Sequence, residues 1–172
     1  MKKTGKGPTE PKTGAKNGGN AIAAIRVRGT KGVRKTVSRT LELLGLTRKN
    51  HCIILRPGPV VKGMLEKARD YVAWGEVGEE TLGELLEKKA RVAGNRKPSP
   101  QQWQGTGFGD AKELAKAVCE GRIELRSVPG MKKVFRLEPP AKGLGPVKVG
   151  YPRGATGYWG KEINGAIKKM IR

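Results

Sequence analysis

The sequence predicts an α+β protein in which a β-α-β-α-β unit forms one sheet backed by two helices. Three observations between residues 21 and 78 support this class: short runs rich in β-branched residues, intervening stretches of helical period, and glycine or proline at their boundaries. Each strand of such a unit has an apolar face to cover, and each amphipathic helix supplies one apolar stripe.

The first strand is predicted from the run AIAAIRVR at residues 21–28. Alternation at a period of two places the basic pair Arg26 and Arg28 on the face opposite Ile25. The strand is expected to end at Gly29.

A helix follows, because Val33, Val37, Leu41 and Leu44 recur at spacings of four, four and three residues. Gly45 is a suitable C-terminal cap, since glycine adopts the left-handed conformation that often ends a helix.

The second half of the unit repeats this order. Residues 50–56, NHCIILR, predict a second strand, which the turn signal at 57–59, PGP, closes. A second helix is expected to start near Val60, and residues 72–77, VAWGEV, predict a third strand.

Further elements are predicted after residue 78. The pairs Thr81 with Glu84 and Asp110 with Glu113 have the spacing of a capping box, and each predicts the start of a helix, the second of which stops at Gly121. We expect the elements after residue 78 to decorate the first unit and not to form a large second core.

The remaining predicted elements are short, and they lie among loops. Residues 123–125 and 134–137 are candidate strands, and Ile163, Ile167, Met170 and Ile171 form a last helical stripe. The Gly- and Pro-rich stretches at 94–109 and 139–160 are expected to be loops.

The predicted organisation therefore has three parts. Residues 1–20 contain five lysines and no large apolar side chain apart from the initial methionine, so a disordered basic tail is expected. Residues 21–78 form the core, and residues 79–172 form an extension of helices and loops.

The charge of the chain indicates a polyanionic partner. Lys and Arg number 36 against 15 Asp and Glu, which gives a net charge of +21 and a pI near 10.4. The excess is concentrated: residues 21–56 hold nine basic residues and one acidic residue, and residues 139–172 hold seven and one. Nucleic acid is the expected partner, and a membrane surface is the weaker alternative.

Several other classes are disfavoured by composition. No apolar run approaches the roughly 20 residues that span a bilayer, and the N-terminus lacks a signal-peptide pattern, so a cytoplasmic protein is expected. Cys52, Cys119 and the single His51 lack the spacing of a zinc site, so no metal or other cofactor is expected, and the two thiols are predicted to be buried and reduced.

One segment invites comparison with a nucleotide-binding loop. Residues 29–36, GTKGVRKT, follow a strand and open a helix, as the phosphate loop GxxxxGK[ST] does, but Arg34 stands at the second glycine position. Nucleotide hydrolysis is therefore not expected. The loop retains Gly29, Gly32 and a helix N-terminus among cations, which suits backbone phosphates of RNA equally well.

The C-terminal aromatic residues allow two readings. Tyr151, Tyr158 and Trp159 are interleaved with Arg153 and Lys161, and aromatic rings among cations can stack on unpaired bases. Alternatively, Trp159 merely packs against the last helix.

Four separated segments resemble one known family, the archaeal and eukaryotic type of large-subunit ribosomal protein L-thirty, called L-seven in eukaryotes. The segments are RVRGTKGVRKTVSRTLELLGLTRKNHCIIL, VVKGMLEKARDYVAWGEVGEETLGELLEKKARV, VFRLEPP and YPRGATGYWGKEIN. The resemblance covers residues 20–172. It implies a ferredoxin-like core with a C-terminal extension, and a structural role on large-subunit rRNA among neighbouring ribosomal proteins, as a monomer without catalysis or a small-molecule substrate.

The resemblance also implies RNA-binding residues by motif match. Trp159 stands where the family commonly has arginine, which favours stacking there over phosphate pairing. The implied residues are Arg28, Lys31, Arg34, Lys35, Arg39, Arg48, Lys49, Asn50, Lys62, Arg153, Tyr158, Trp159 and Lys161.

Two alternatives to a ribosomal role stay open at this point. The first is a nucleotide-dependent enzyme that uses the degenerate loop at 29–36. The second is a free nucleic-acid chaperone or DNA-compacting protein, which has similar charge but binds broadly.

Overall fold

A computed structural model describes residues 21–98, 108–128 and 130–172 and shows a mixed five-stranded sheet with helices on both faces. The predicted tail at 1–20 lies outside the described residues, and so do residues 99–107 of the predicted loop at 94–109. The strands are β1 (Ile22–Arg26), β2 (His51–Leu55), β3 (Val72–Glu76), β4 (Val134–Arg136) and β5 (Gly157–Tyr158). The α-helices are α1 (Lys35–Leu44), α2 (Pro59–Lys67), α3 (Glu79–Lys89), α4 (Ala111–Cys119) and α5 (Ile163–Met170).

The sheet order is β4-β2-β1-β3-β5, with β1 at the centre. The strand β1 pairs antiparallel with β2, with Ile25 opposite Cys52, and with β3, with Arg26 opposite Val72. The strand β4 adds antiparallel to β2, and β5 adds parallel to β3. The predicted β-α-β-α-β order and the α+β class are confirmed.

The helices α1 and α2 cover one face of the sheet. Leu41 and Leu44 of α1 and Leu65 of α2 pack there against Ile53 and Trp74 from the strands. The predicted stripe of α1 is correct, and Gly45 ends the helix in the left-handed conformation at φ 87°. The two helices that back the predicted sheet are therefore found on one side of it.

The opposite face carries the larger apolar cluster. Ile25, Cys52 and Ile54 meet buried side chains of α3, α4 and α5 there, among them Leu86 and Ile167. The expectation that elements after residue 78 only decorate the first unit is therefore wrong. The strands β1, β2 and β3 alternate apolar side chains to both faces, and both stripes require cover.

Local differences from the predicted elements have identifiable causes. The helix α3 begins at Glu79, so Thr81 is buried inside the helix and is not its N-terminal cap. At the start of α3, the Gly78 N–H donates to the side-chain oxygen of Asn164 at 2.8 Å. Residues 125–127 form a 3-10 turn instead of a strand. The short β5 lies inside a predicted loop, since only its pairing to β3 holds it extended.

The two thiols are free, with Cys52 buried and Cys119 half-buried. Burial raises the pKa of Cys52 to about 12. The prediction of two buried thiols is thus correct for Cys52 and only partly so for Cys119. Among the described residues, no helix is long and apolar enough to cross a membrane.

Candidate nucleic-acid interface

The strand directions bring most of the predicted RNA-binding residues to one end of the sheet. The strands β1 and β4 finish at this end, and β2, β3 and β5 begin there. We call it the basic end, and define it by the residues Arg28, Lys31, Arg34, Lys35, Arg48, Lys49, Asn50 and Arg153. Segments far apart in the chain thus present cations on one side of the molecule.

A buried arginine, Arg26, ties together the two loops that carry most of these cations. Its side chain is 4% exposed. Its guanidinium donates hydrogen bonds to the carbonyl oxygens of Leu46 at 2.7 Å and Thr47 at 3.1 Å, and to those of Arg28 and Gly29 at 3.0 Å each. The loop after β1 and the loop before β2 are therefore held to a single side chain.

Arg26 is the residue of the site that the sequence reasoning missed. Burial lowers its pKa, but an arginine remains charged because its ordinary value lies far above neutral pH. The alternation correctly placed it opposite Ile25. The sequence signal for a buried arginine was the position of Arg26 before Val27 in an otherwise apolar strand. The carbonyl oxygens of the two loops, which the sequence does not reveal, explain why it is buried.

Arg28 is held at the start of β3. Its guanidinium carbon lies 4.8 Å from the centre of the Tyr71 ring, and Nη1 donates to the carbonyl oxygen of Asp70 at 3.3 Å. This cation–π contact leaves Arg28 half-buried, with its remaining donors at the basic end.

The loop that leads into α1 is open to solvent. Lys31, Arg34 and Lys35 are exposed, and Gly32 adopts the left-handed conformation at φ 71°. Among the described residues, no side chain caps the N-terminus of α1, and its first turn contains no acidic residue. The unpaired N–H groups of this turn, flanked by cations, are a favourable environment for an anion.

The loop before β2 is fixed between two strands. Asn50 has φ 63°, its N–H donates to the Arg26 carbonyl oxygen at 2.8 Å, and its own carbonyl accepts from the Leu137 N–H at 3.0 Å. The adjacent Arg48 and Lys49 are exposed. The rigid backbone therefore presents two cations beside those of the first loop.

The single histidine reports the electrostatics of this region. The pKa of His51 lies below its usual range, first because the ring is partly buried and then because Arg136 and Arg48 lie nearby. Neighbouring cations disfavour a further positive charge. His51 is thus a structural residue beside the basic end, and its Nδ1 lies 3.4 Å from both the Thr47 hydroxyl and the Arg48 backbone nitrogen.

The cations of the basic end are free of acidic partners. Within the described residues, none of its lysines or arginines forms an ion pair with a carboxylate. Arg39, one turn further along α1, lies 3.8 Å from Glu42, and both side chains are well exposed. Such exposed pairs contribute little and exchange readily.

The other predicted residues are not part of the basic end. Lys62 lies in the first turn of α2, which follows the far end of β2. Tyr158 and Lys161 lie in β5 and in the turn Gly160–Glu162. The Tyr158 hydroxyl donates to Glu76 at 2.5 Å, and this bond raises the pKa of Tyr158.

Trp159 is half-buried and packs against the larger cluster. Its ring lies 4.8 Å from that of Tyr151, and its buried Nε1 has no acceptor among the described residues. This arrangement matches the packing alternative for Trp159. Across the described ranges, no group of three His, Cys, Asp or Glu side chains is placed to hold a metal ion.

One segment of the chain matches a known protein family. Residues 22–72, which run from β1 to the first residue of β3 and contain most of the basic end, match the family described as Ribosomal protein L30p/L7e. A basic α+β chain with this match falls among the ribosomal proteins.

Relatives over nearly the whole chain specify the family. The chain is 44% identical to large ribosomal subunit protein uL30 of Archaeoglobus fulgidus, across 87% of this chain and 99% of the relative. The uL30 proteins of Thermoplasma volcanium and Nanoarchaeum equitans are 41% and 42% identical, each across 87% of this chain and across 92% and 97% of the relative. The chain belongs to the uL30 family of large-subunit ribosomal proteins, which are structural proteins and not enzymes. The resemblance to L-thirty is confirmed.

Proposed function

We propose that this protein is a structural constituent of the large ribosomal subunit that binds and stabilises folded rRNA through phosphate contacts at the basic end. The observation that carries the proposal is the convergence, at one end of the sheet, of cations from three separate segments that form no ion pair among the described residues and are all exposed except the half-buried Arg28. Its family places it in the large subunit, and supporting translation there requires no bond to be made or broken.

Electrostatics explains why such a surface suits folded RNA. Phosphates that are brought close together in a folded RNA repel one another, and lysine and arginine side chains relieve that repulsion while releasing counterions. Arginine adds bidentate geometry, since its planar fork matches two phosphate oxygens. The basic end provides Arg28, Arg34, Arg48 and Arg153 for this purpose.

Different roles follow for the two groups of predicted residues. The basic end carries the main contact, and Arg39 extends it along α1. Secondary contacts are assigned to the predicted residues that lie away from the basic end, which are Lys62, Tyr158, Trp159 and Lys161. Neighbouring ribosomal proteins then cover surfaces that the rRNA leaves open, with the chain present as a monomer.

The test is salt-dependent binding to a transcript of the large-subunit rRNA from the same organism. With seven cations at the basic end, the log-log slope of affinity against salt should be about −5 to −6 if each neutralises one phosphate, at roughly 0.7 to 0.9 per contact. Co-sedimentation with large subunits after a high-salt wash should accompany it. A flat salt response, or loss of the chain from washed subunits, contradicts the proposal.

A further inference from the structure

Three aromatic residues lie near the C-terminus, and they differ in what they offer to a ligand. Tyr158 is exposed, but its hydroxyl is bonded to the Glu76 carboxylate, whose charge repels phosphate. Trp159 is half-buried against the larger cluster. Tyr151 combines an exposed side chain, at 36%, with a ring centre only 4.8 Å from that of Trp159, whereas the ring centre of Tyr158 lies 6.5 Å from that of its neighbour Trp74.

The support is a tilted aromatic pair. The ring centres of Tyr151 and Trp159 are 4.8 Å apart, with 31° between the ring planes. This distance is within the range of favourable aromatic contact. Because Trp159 is itself anchored against the larger cluster, it holds the Tyr151 ring in place and leaves the ring partly open to solvent.

The backbone that carries Tyr151 is closely packed. The Tyr151 N–H donates to the Thr156 carbonyl oxygen at 2.7 Å, and the Thr156 hydroxyl donates to the Val149 carbonyl oxygen at 3.0 Å. Gly154 is buried, and a Cβ there would overlap the carbonyl of Val149 and lie 2.7 Å from the carbonyl oxygen of Pro146. The loop is therefore preorganised, which lowers the entropy cost of binding.

The loop that carries Tyr151 is basic and contains no acidic residue. Residues 139–160 hold Lys142, Lys148 and Arg153, all of them exposed, and no Asp or Glu. The segment leads into the start of β5, at the same end of the sheet as the other cations.

We infer that Tyr151, backed by Trp159, is a stacking site for one unpaired nucleobase of the rRNA that the basic end binds. The inference rests on the proposed function and deepens it, because it assigns an unpaired nucleotide to the β5 side of the basic end. A duplex keeps its bases stacked inside the helix, so only a bulged, looped or terminal base can reach the ring. The cations favour nucleic acid over a protein partner for this surface.

The test compares three full-length variants for binding to the protein-free large-subunit rRNA transcript. Tyr151→Phe keeps the ring and should retain wild-type affinity. Tyr151→Leu keeps apolar contact with Trp159 but has no aromatic face, and affinity should fall about tenfold or more, as expected for loss of one base stack. Val147→Ala removes an exposed apolar side chain from the same loop and should bind as wild type does.

A second measurement is independent of how well the variants fold. Irradiation of the wild-type complex at short ultraviolet wavelength joins bases to aromatic side chains in direct contact, so a cross-linked nucleotide should map to the peptide that contains Tyr151.

The outcomes separate this inference from the proposed function. Steep salt-dependent binding of the wild type, with equal affinity in Tyr151→Leu and no cross-link at Tyr151, overturns the stacking site alone. Normal rRNA binding by Tyr151→Leu combined with its loss from assembled subunits identifies a protein partner and also overturns it. Absence of salt-dependent binding by the wild type removes both proposals.

Discussion

Replacement of Arg34, Lys35 and Arg39 together by alanine tests whether binding is localised at the basic end and α1. Alanine suits a helix, and of the three only Arg39 has an ionic partner within the described ranges, the exposed Glu42. The free energy of unfolding should therefore change by less than about 1 kcal/mol. The circular dichroism spectrum should be unchanged. Affinity for the rRNA transcript should fall, because three phosphates lose their neutralising charges.

The size of the effect follows from counterion release. Three lost contacts at about 0.8 each make the log-log salt slope shallower by about 2.4. Between about 50 mM and about 200 mM salt, a fourfold change, the affinity gap between wild type and variant should therefore shrink roughly 30-fold. Filter binding or fluorescence anisotropy over this salt range measures both slopes.

A matched control removes the same charge from another surface. Lys88, Lys112 and Lys116 are exposed on α3 and α4, which cover the face opposite α1. Their triple alanine variant should keep the wild-type slope. If it loses as much slope as the first variant, binding reflects net charge and the assignment of the basic end is refuted. If the first variant keeps the wild-type slope while folded, its three residues neutralise no phosphate, which also refutes the assignment.

Two further predictions concern residues beside the basic end. Arg26→Met leaves four loop carbonyls without their donor, which should lower the free energy of unfolding by about 2 to 4 kcal/mol in urea titrations. Amide hydrogen exchange should accelerate more in the two loops than in β1. Unchanged exchange in the loops would show that Arg26 does not hold them. Burial and nearby arginines lower the pKa of His51 in the free protein, and this pKa should rise when RNA phosphates neutralise those arginines. The affinity for RNA should therefore increase as the pH falls from the pKa of the bound state to that of the free state. Because His51 is the only histidine, its ring proton signals in NMR titrations of the free and bound chain report this directly, and identical pKa values would place the start of β2 outside the interface.

Local periodicity predicted the first three strands and their two helices well. The spacing from Val33 to Leu44 identified α1, and Gly45 marked its end. Such elements are determined by contacts between near neighbours and by one apolar face. Thr81 shows the limit of this reasoning, because the capping pattern is present but the chain had already entered the helix at Glu79.

Features that depend on distant contacts were not accessible from the sequence. The strand β5 exists only because it pairs with β3, and the second apolar face of the sheet becomes evident only when α3, α4 and α5 are placed against it. The candidate site was foreseen as a set of cations from motif resemblance. Only the strand directions show that most of these cations lie together at the basic end, while Lys62 and Lys161 lie away from it.

Helices on both faces of the sheet restrict how this protein can meet RNA. Some RNA-binding modules lay single strands across an open β-surface and stack bases on aromatic residues in the middle of it. Here the two broad surfaces of the sheet are occupied by the chain's own side chains, so under the proposed function nucleotides would contact the rims and the connecting loops. Substitutions inside the strands should therefore alter the yield of folded protein, while changes in the loops should alter how firmly that protein is retained on its RNA.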